Sequence, residues 1–140
     1  MRIIDIMTKG VCTVQMDDFV RYVKSLFEEH EFHHLLVVDG GMLQGVISDR
    51  DLLKNLSPFY DTPCEQNRDL AILNKRAHQI MSRNPVTVTA ETSVKDAFEL
   101  LIEKRISCLP VVTESGRVAG IVTWKDLIRA AFREVDASCW

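Results

Sequence analysis

Two stretches of the chain repeat one pattern of chemically capable side chains. Gly45-Val-Ile-Ser48-Asp49-Arg50-Asp51 and Gly120-Ile-Val-Thr123-Trp124-Lys125-Asp126 each run glycine, two β-branched residues, a hydroxyl, a free position, a base and an aspartate. A hydroxyl, a cation and a carboxylate this close together can hold a sugar phosphate. The carboxylate accepts from both ribose hydroxyls, while the hydroxyl and the base meet the phosphate. The same spacing is also a capping box, which merely starts a helix. The two uses are compatible, because a helix start presents unpaired N–H groups and the positive end of a dipole. One copy alone reads as a cap; two copies in register favour a site.

The register runs far beyond the motif. Ile6-Met7-Thr8 aligns with Ile80-Met81-Ser82, Thr13-Val14 with Thr87-Val88, and Val20 with Val94. Leu35 aligns with Leu109 and Val37-Val38 with Val111-Val112; after one inserted residue, Gly45 to Ser48 meets Gly120 to Thr123. A fixed internal period is the signature of a duplicated structural unit.

Each unit must place its motif with the same elements. A short β segment (Val11 to Val14, then Val86 to Val88) leads into Asp17-Asp18 or Thr92-Ser93, residues whose oxygens suit a helix N-cap. Helical periodicity follows, with Phe19, Val20, Val23, Leu26 and Phe27 on one stripe and Val94, Ala97, Phe98 and Leu101 on the other; the phenylalanines are expected in the core. Leu35 to Val38 and Leu109 to Val112 read as strands. Glycine turns at 39–41 and 114–116 reverse the chain into Val46-Ile47 and Val118 to Val122. Second helices start near Asp49 and Trp124. The expected class is α/β (α+β), built as β-α-β-β-α twice.

The expected divisions are a first repeat over 1–56, a linker over 57–76, a second repeat over 77–135 and a tail over 136–140. Ser57-Pro58 and Thr62-Pro63 stop the preceding helix, and a connecting helix is expected over Arg68 to Ala77. A three-stranded sheet with two helices on one face leaves its other face apolar. A unit of about 50 residues buries little surface alone, so the two repeats are expected to close on each other about a pseudo-twofold axis.

The bulk properties narrow the function classes. A net charge of −3 argues against non-specific nucleic-acid binding. No apolar run approaches a membrane span, and Met1-Arg2-Ile3-Ile4-Asp5 lacks the pattern of a secretory signal, so a cytoplasmic location is expected. Cys12, Cys64, Cys108 and Cys139 are scattered without Cys-x-x-Cys spacing, which predicts free thiols and no metal site. His33-His34 is a poor metal pair, because adjacent strand residues face opposite ways and no third ligand is near. No nucleophile elbow, Walker A loop or zinc-protease signature is present, so no catalytic residues are assigned and no enzyme is expected.

Taken together, the two Gly-x-x-Ser/Thr-x-x-Asp motifs, Ile6-Met7-Thr8, Ile80 to Val86 and Arg105 to Val112 resemble a CBS (cystathionine-β-synthase) domain pair, or Bateman module, from Ile3 to Phe132. The resemblance implies a regulatory sensor, often a homodimer, binding AMP, ADP or ATP in clefts between repeats and acting on a partner in trans. It assigns ribose to Asp51 and Asp126, and phosphate to Ser48, Arg50, His33, His34, Thr92, Thr123 and Lys125. It assigns the adenine slot to Val46, Ala97, Ile106, Ser107, Ile121, Val23 and Phe32. The cleft of Asp51 is expected to bind better, since Asp18 would repel phosphate in the other and Val23 is bulkier there than alanine. The alternatives are a ligand-free dimerisation scaffold, or a sensor of NAD or S-adenosylmethionine.

Overall fold

The computed structural model describes residues 1–56, 62–64 and 66–139; at 68, 69 and 134–139 only the backbone is described. Ser57-Pro58 and the side chain of Cys139 therefore lie outside the described residues. The chain divides into two compact units, one of Cys12–Asn84 and one of Met1–Val11 with Pro85–Trp140. This division differs from the repeats as read along the sequence. The first eleven residues pack with the second repeat, and residues 77–84 pack with the first.

In the Cys12–Asn84 unit, β1 (Thr13–Gln15) runs parallel to β2 (His34–Asp39), which pairs antiparallel with β3 (Met42–Ser48). A fourth strand, β4 (Ser82–Arg83), closes the order β1-β2-β3-β4, where three strands were expected. The turn between β2 and β3 works because Gly40 and Gly41 both take positive φ, the requirement of a tight two-residue hairpin. Helix α1 (Val20–Glu29) buries Val20, Val23 and Leu26, and α2 (Asp49–Asn55) buries Leu52. These meet Val14, Leu35, Val37 and Ile47 from one face of the sheet. Strand alternation puts Leu36, Val38 and Val46 on the opposite face, and they are buried as well.

The expected connecting helix is broken into pieces. Helix α3 (Asn67–Leu70) passes into a 3₁₀ turn over Ala71–Asn74, and a separate short helix, α4 (Ala77–Ile80), follows. The cause is a competing pairing. Lys75 C=O accepts from Val20 N–H and Asp18 C=O from Ala77 N–H, which holds Lys75-Arg76 extended beside the start of α1. Arg76 lays its guanidinium 3.9 Å from the Phe19 ring centroid and donates to Asp17 C=O. Phe19, expected in the core, is instead 44% exposed beneath this cation. The Asp17-Asp18 cap is not formed either: Asp18 Oδ2 accepts from Gln15 N–H at 2.7 Å, within the turn that precedes the helix.

The other unit repeats the plan. Strands β5 (Cys108–Val112) and β6 (Val118–Thr123) pair antiparallel, flanked by single bridges at Val88↔Val111 and Thr8↔Ile121. Both hairpins shift register at equivalent places, Val37/Val38 and Val111/Val112. Helix α5 (Val94–Lys104) is capped by Ser93, which accepts from Asp96 N–H, and α6 (Trp124–Cys139) follows β6. Met1–Ile4 runs beside the start of α5 as Lys75–His78 runs beside α1: Arg2 bridges Ser93 where Arg76 bridges Phe19. The core gathers Ile3, Ala97, Leu101, Leu109, Val111, Val122 and Leu127.

One glycine in each unit is fixed by these leading segments. A Cβ on Gly45 would lie 2.7 Å from Ser82 C=O and 2.6 Å from Met81 Sδ; on Gly120 it would lie 2.7 Å from Thr8 C=O. Those carbonyls belong to paired backbone and cannot yield cheaply. Gly45→Ala and Gly120→Ala are each expected to cost about 1–3 kcal/mol, read as a lower urea midpoint. Gly10→Ala, where nothing lies within 4 Å of the new carbon, should leave the midpoint close to wild type.

Candidate functional site

Both motifs sit where a strand ends and a helix begins. Ser48 closes β3 and caps α2. Its Oγ accepts from Asp51 N–H at 3.1 Å, and Asp51 Oδ2 accepts from Ser48 N–H at 2.9 Å. This is a reciprocal capping box, so the structural use of the motif is real. The second copy differs in detail: Asp126 Oδ2 accepts from Thr123 N–H at 3.0 Å and from Thr123 Oγ at 3.3 Å. Among the described residues, the carboxylate hydrogen bonds of both aspartates run through Oδ2, which leaves Oδ1 as acceptor for a further group. Both carboxylates are half-buried, whereas Arg50 and Lys125 are exposed.

The surroundings of Asp51 hold the strongest electrostatic coupling of the two motifs. His33 Nδ1 lies 2.9 Å from Asp49 Oδ2, and His33 C=O accepts from Asp49 N–H at 3.0 Å. Burial would raise the Asp49 carboxyl, but the His33 bond and the Arg50 backbone N–H outweigh it and hold the group below the ordinary carboxylate range. His34, on the other side of the strand start, is half-buried. Burial pushes its pKa down, opposed by Asp49 and Asp51 and reinforced by His33. Asp49 was read in the sequence only as a free position. The clue was its charge, since Trp124 holds the matching place.

The remaining candidates fall on varied ground within their own units. Val46 and Ile121 are matched buried positions on β3 and β6. Val23 and Ala97, matched on α1 and α5, are fully buried in their units' cores. Phe32 is half-buried against the first core, its ring 5.6 Å from Phe27 and 5.2 Å from His30. Ile106 packs on the second core and Ser107 is exposed. Thr92 Oγ accepts from Thr89 N–H at 3.1 Å, which commits one side of that hydroxyl to a local turn. Trp124 sets its ring perpendicular to that of Phe98, with centroids 5.1 Å apart, and packs on the second core. Among the described residues no cluster of three or more His, Cys, Asp or Glu could hold a metal, and Cys12, Cys64 and Cys108 are not in disulfides. No described helix is long and apolar enough to cross a membrane.

A family model for the CBS domain matches residues 3–58 and 77–133. The chain belongs to the CBS-domain family. It is 34% identical over 125 residues to a CBS domain-containing protein of Dictyostelium discoideum, covering 88% of this chain and 86% of that one. Other curated relatives are longer, and the chain spans 22% to 45% of four of them. Among solved structures, CBSX2 of Arabidopsis thaliana in complex with AMP superposes with a TM-score of 0.78 at 29% identity, covering 94% of this chain and 96% of that one. The CBS domain pair of protein MJ0100, in complex with 5′-methylthioadenosine and S-adenosyl-L-methionine, gives 0.79 at 27% identity, covering 96% and 98%. These neighbours share the architecture described above, a CBS pair of mixed α/β class.

Two stability measurements test the local chemistry. Ser48→Ala removes the acceptor for Asp51 N–H and should cost about 1 kcal/mol; Ser48→Asp should recover most of it. The half-buried His34 gives a pH signature. Its folded-state pKa is depressed, so the unfolded chain binds the proton better. Stability contributed by the neutral ring is present above the ordinary histidine value near 6.5 and is lost as pH falls from there toward the lower folded value. The urea midpoint of wild type should drop over that window, and His34→Gln should drop less.

Proposed function

We propose that this CBS pair is a regulatory, non-catalytic sensor that binds an adenosine-containing ligand at its Asp51 and Asp126 motifs. The carrying observation is the pair of half-buried carboxylates, each using Oδ2 for its own helix cap and keeping Oδ1 as an acceptor. A ribose offers two adjacent hydroxyl donors to such an oxygen. The complexes of similar CBS pairs with AMP, 5′-methylthioadenosine and S-adenosyl-L-methionine support a ligand of this class. Val46 and Ile121 supply an apolar strand surface beside each carboxylate, suited to a purine. Arg50 and Lys125 are the exposed cations for any anionic group on the ligand.

A sensor acts only if its ligand favours one arrangement of the protein over another. We place this readout in a cytoplasmic homodimer that acts on a separate protein.

Differential scanning fluorimetry with AMP, ADP, ATP, NAD, 5′-methylthioadenosine and S-adenosylmethionine tests the proposal. A ligand specific for the folded state raises the melting temperature by mass action, about 2.7 kcal/mol at a hundredfold excess over Kd. At least one compound should do so, and Asp51→Ala together with Asp126→Ala should abolish the shift. A flat response across the panel would instead mark a scaffold without a ligand.

A further inference from the structure

We infer that this chain pairs with a second copy of itself through the α5/α6 face of the second repeat, each copy seating Phe132 in the groove of the other. This rests on the homodimer placed in the function above and narrows it to one face.

The middle of the face is apolar and carries both halves of a contact. Phe132 is 65% exposed, Ile102 59% and Ile128 46%. Beside them runs a groove of about 400 Å³, lined by Phe98 and Glu99 of α5 and by Leu127 and Ala131 of α6. The short side chain of Ala131 leaves the hollow, and the next residue, Phe132, supplies a ring that stands in solvent. An exposed aromatic side chain next to an apolar hollow is the pattern of an interface anchor and its pocket.

The flanks say what covers it. At 100° per residue, Glu99 and Glu103 share the outer flank of α5, and Arg129 and Arg133 share the outer flank of α6. All four are exposed. A twofold axis through the groove lays α5 of each copy against α6 of the other. Acids then meet arginines on both sides, and each Phe132 faces the opposite hollow. A patch that is acidic on one flank and basic on the other is complementary to itself, which is what an isologous pair requires.

The first repeat lacks these features at the matched places. Ser57 stands where the second repeat has Phe132, Leu56 where it has Ala131, and Glu28 where it has Ile102. Leu56 packs on the first core, so a side chain takes up space that Ala131 leaves open. The knob and the hollow therefore belong to the second repeat and not to the repeated plan.

Analytical ultracentrifugation of the full chain tests the inference, with urea midpoints confirming that each variant folds. Wild type should sediment as a dimer. Phe132→Ser puts the first repeat's residue at the knob, and Ala131→Leu fills the hollow while keeping the surface apolar. Each should raise the dimer dissociation constant at least about tenfold, whereas Leu53→Ser, at the place on α2 that matches Ile128, should change it by less than about threefold. Reversing Glu99 and Glu103 to Arg should weaken the dimer about tenfold, and adding Arg129→Glu and Arg133→Glu should restore it, whichever acid meets whichever base. A monomeric wild type overturns this inference and the homodimer together. A dimer unmoved by Phe132→Ser or by Ala131→Leu, or weakened as much by Leu53→Ser, overturns the α5/α6 face and leaves the homodimer standing. Charge reversal without loss, or loss without recovery in the fourfold variant, overturns the twofold pairing of α5 with α6.

Discussion

At Gly45 the Ser82 carbonyl, and at Gly120 the Thr8 carbonyl, come so close that no side chain fits between. The rest of each unit depends on this approach. It lets the segment before one repeat become the edge partner of the other repeat's last strand, as β4 beside β3 and as the Thr8 bridge beside β6. Three residues after each glycine the strand gives way to a helix, and the hydroxyl and aspartate that start that helix are the groups able to hold a ligand. The glycine, the Ile-Met-Thr/Ser segment and the Ser/Thr-x-x-Asp sequence are thus one packed assembly, although 36 residues separate Gly45 from Met81 in the chain.

The caps show how one residue serves structure and binding together. A carboxylate has two oxygens, and the capping box needs one. Asp51 and Asp126 use Oδ2 for backbone N–H groups of Ser48 and Thr123, which fixes the orientation of the whole carboxylate. An acceptor held in this way loses little rotamer freedom on meeting a hydroxyl donor. The hydroxyls differ: Ser48 Oγ accepts from Asp51 N–H, while Thr123 Oγ donates to Asp126. Two motifs with one pattern therefore present different donors and acceptors, and the Asp49–His33 pair widens the difference further.

Much of the architecture was legible along the chain. The doubled register located the β2/β3 and β5/β6 hairpins, the glycine turns and the starts of α2 and α6, because strand alternation, helical period and turn chemistry are local properties. Where a local preference met a distant partner, the local reading failed. The 68–77 stretch has helical apolar spacing, yet Lys75-Arg76 is drawn out to pair with the entry to α1. Phe19 has the spacing of a core residue, yet it is covered by Arg76 from 57 residues away. The Asp17-Asp18 pair has cap chemistry, yet Asp18 bonds back to Gln15.

The candidate site divides along the same line. Sequence alone determined that hydroxyl, base and aspartate recur at matched helix starts, since an interval of three residues at a strand end fixes which side chain meets which N–H. Only the tertiary structure decided that His33 is held by Asp49, and that the leading segment of each repeat belongs to the other repeat's unit. Those outcomes depend on side chains and backbone brought together through hairpins and exchanged edges, where closeness in space has no counterpart in closeness along the chain.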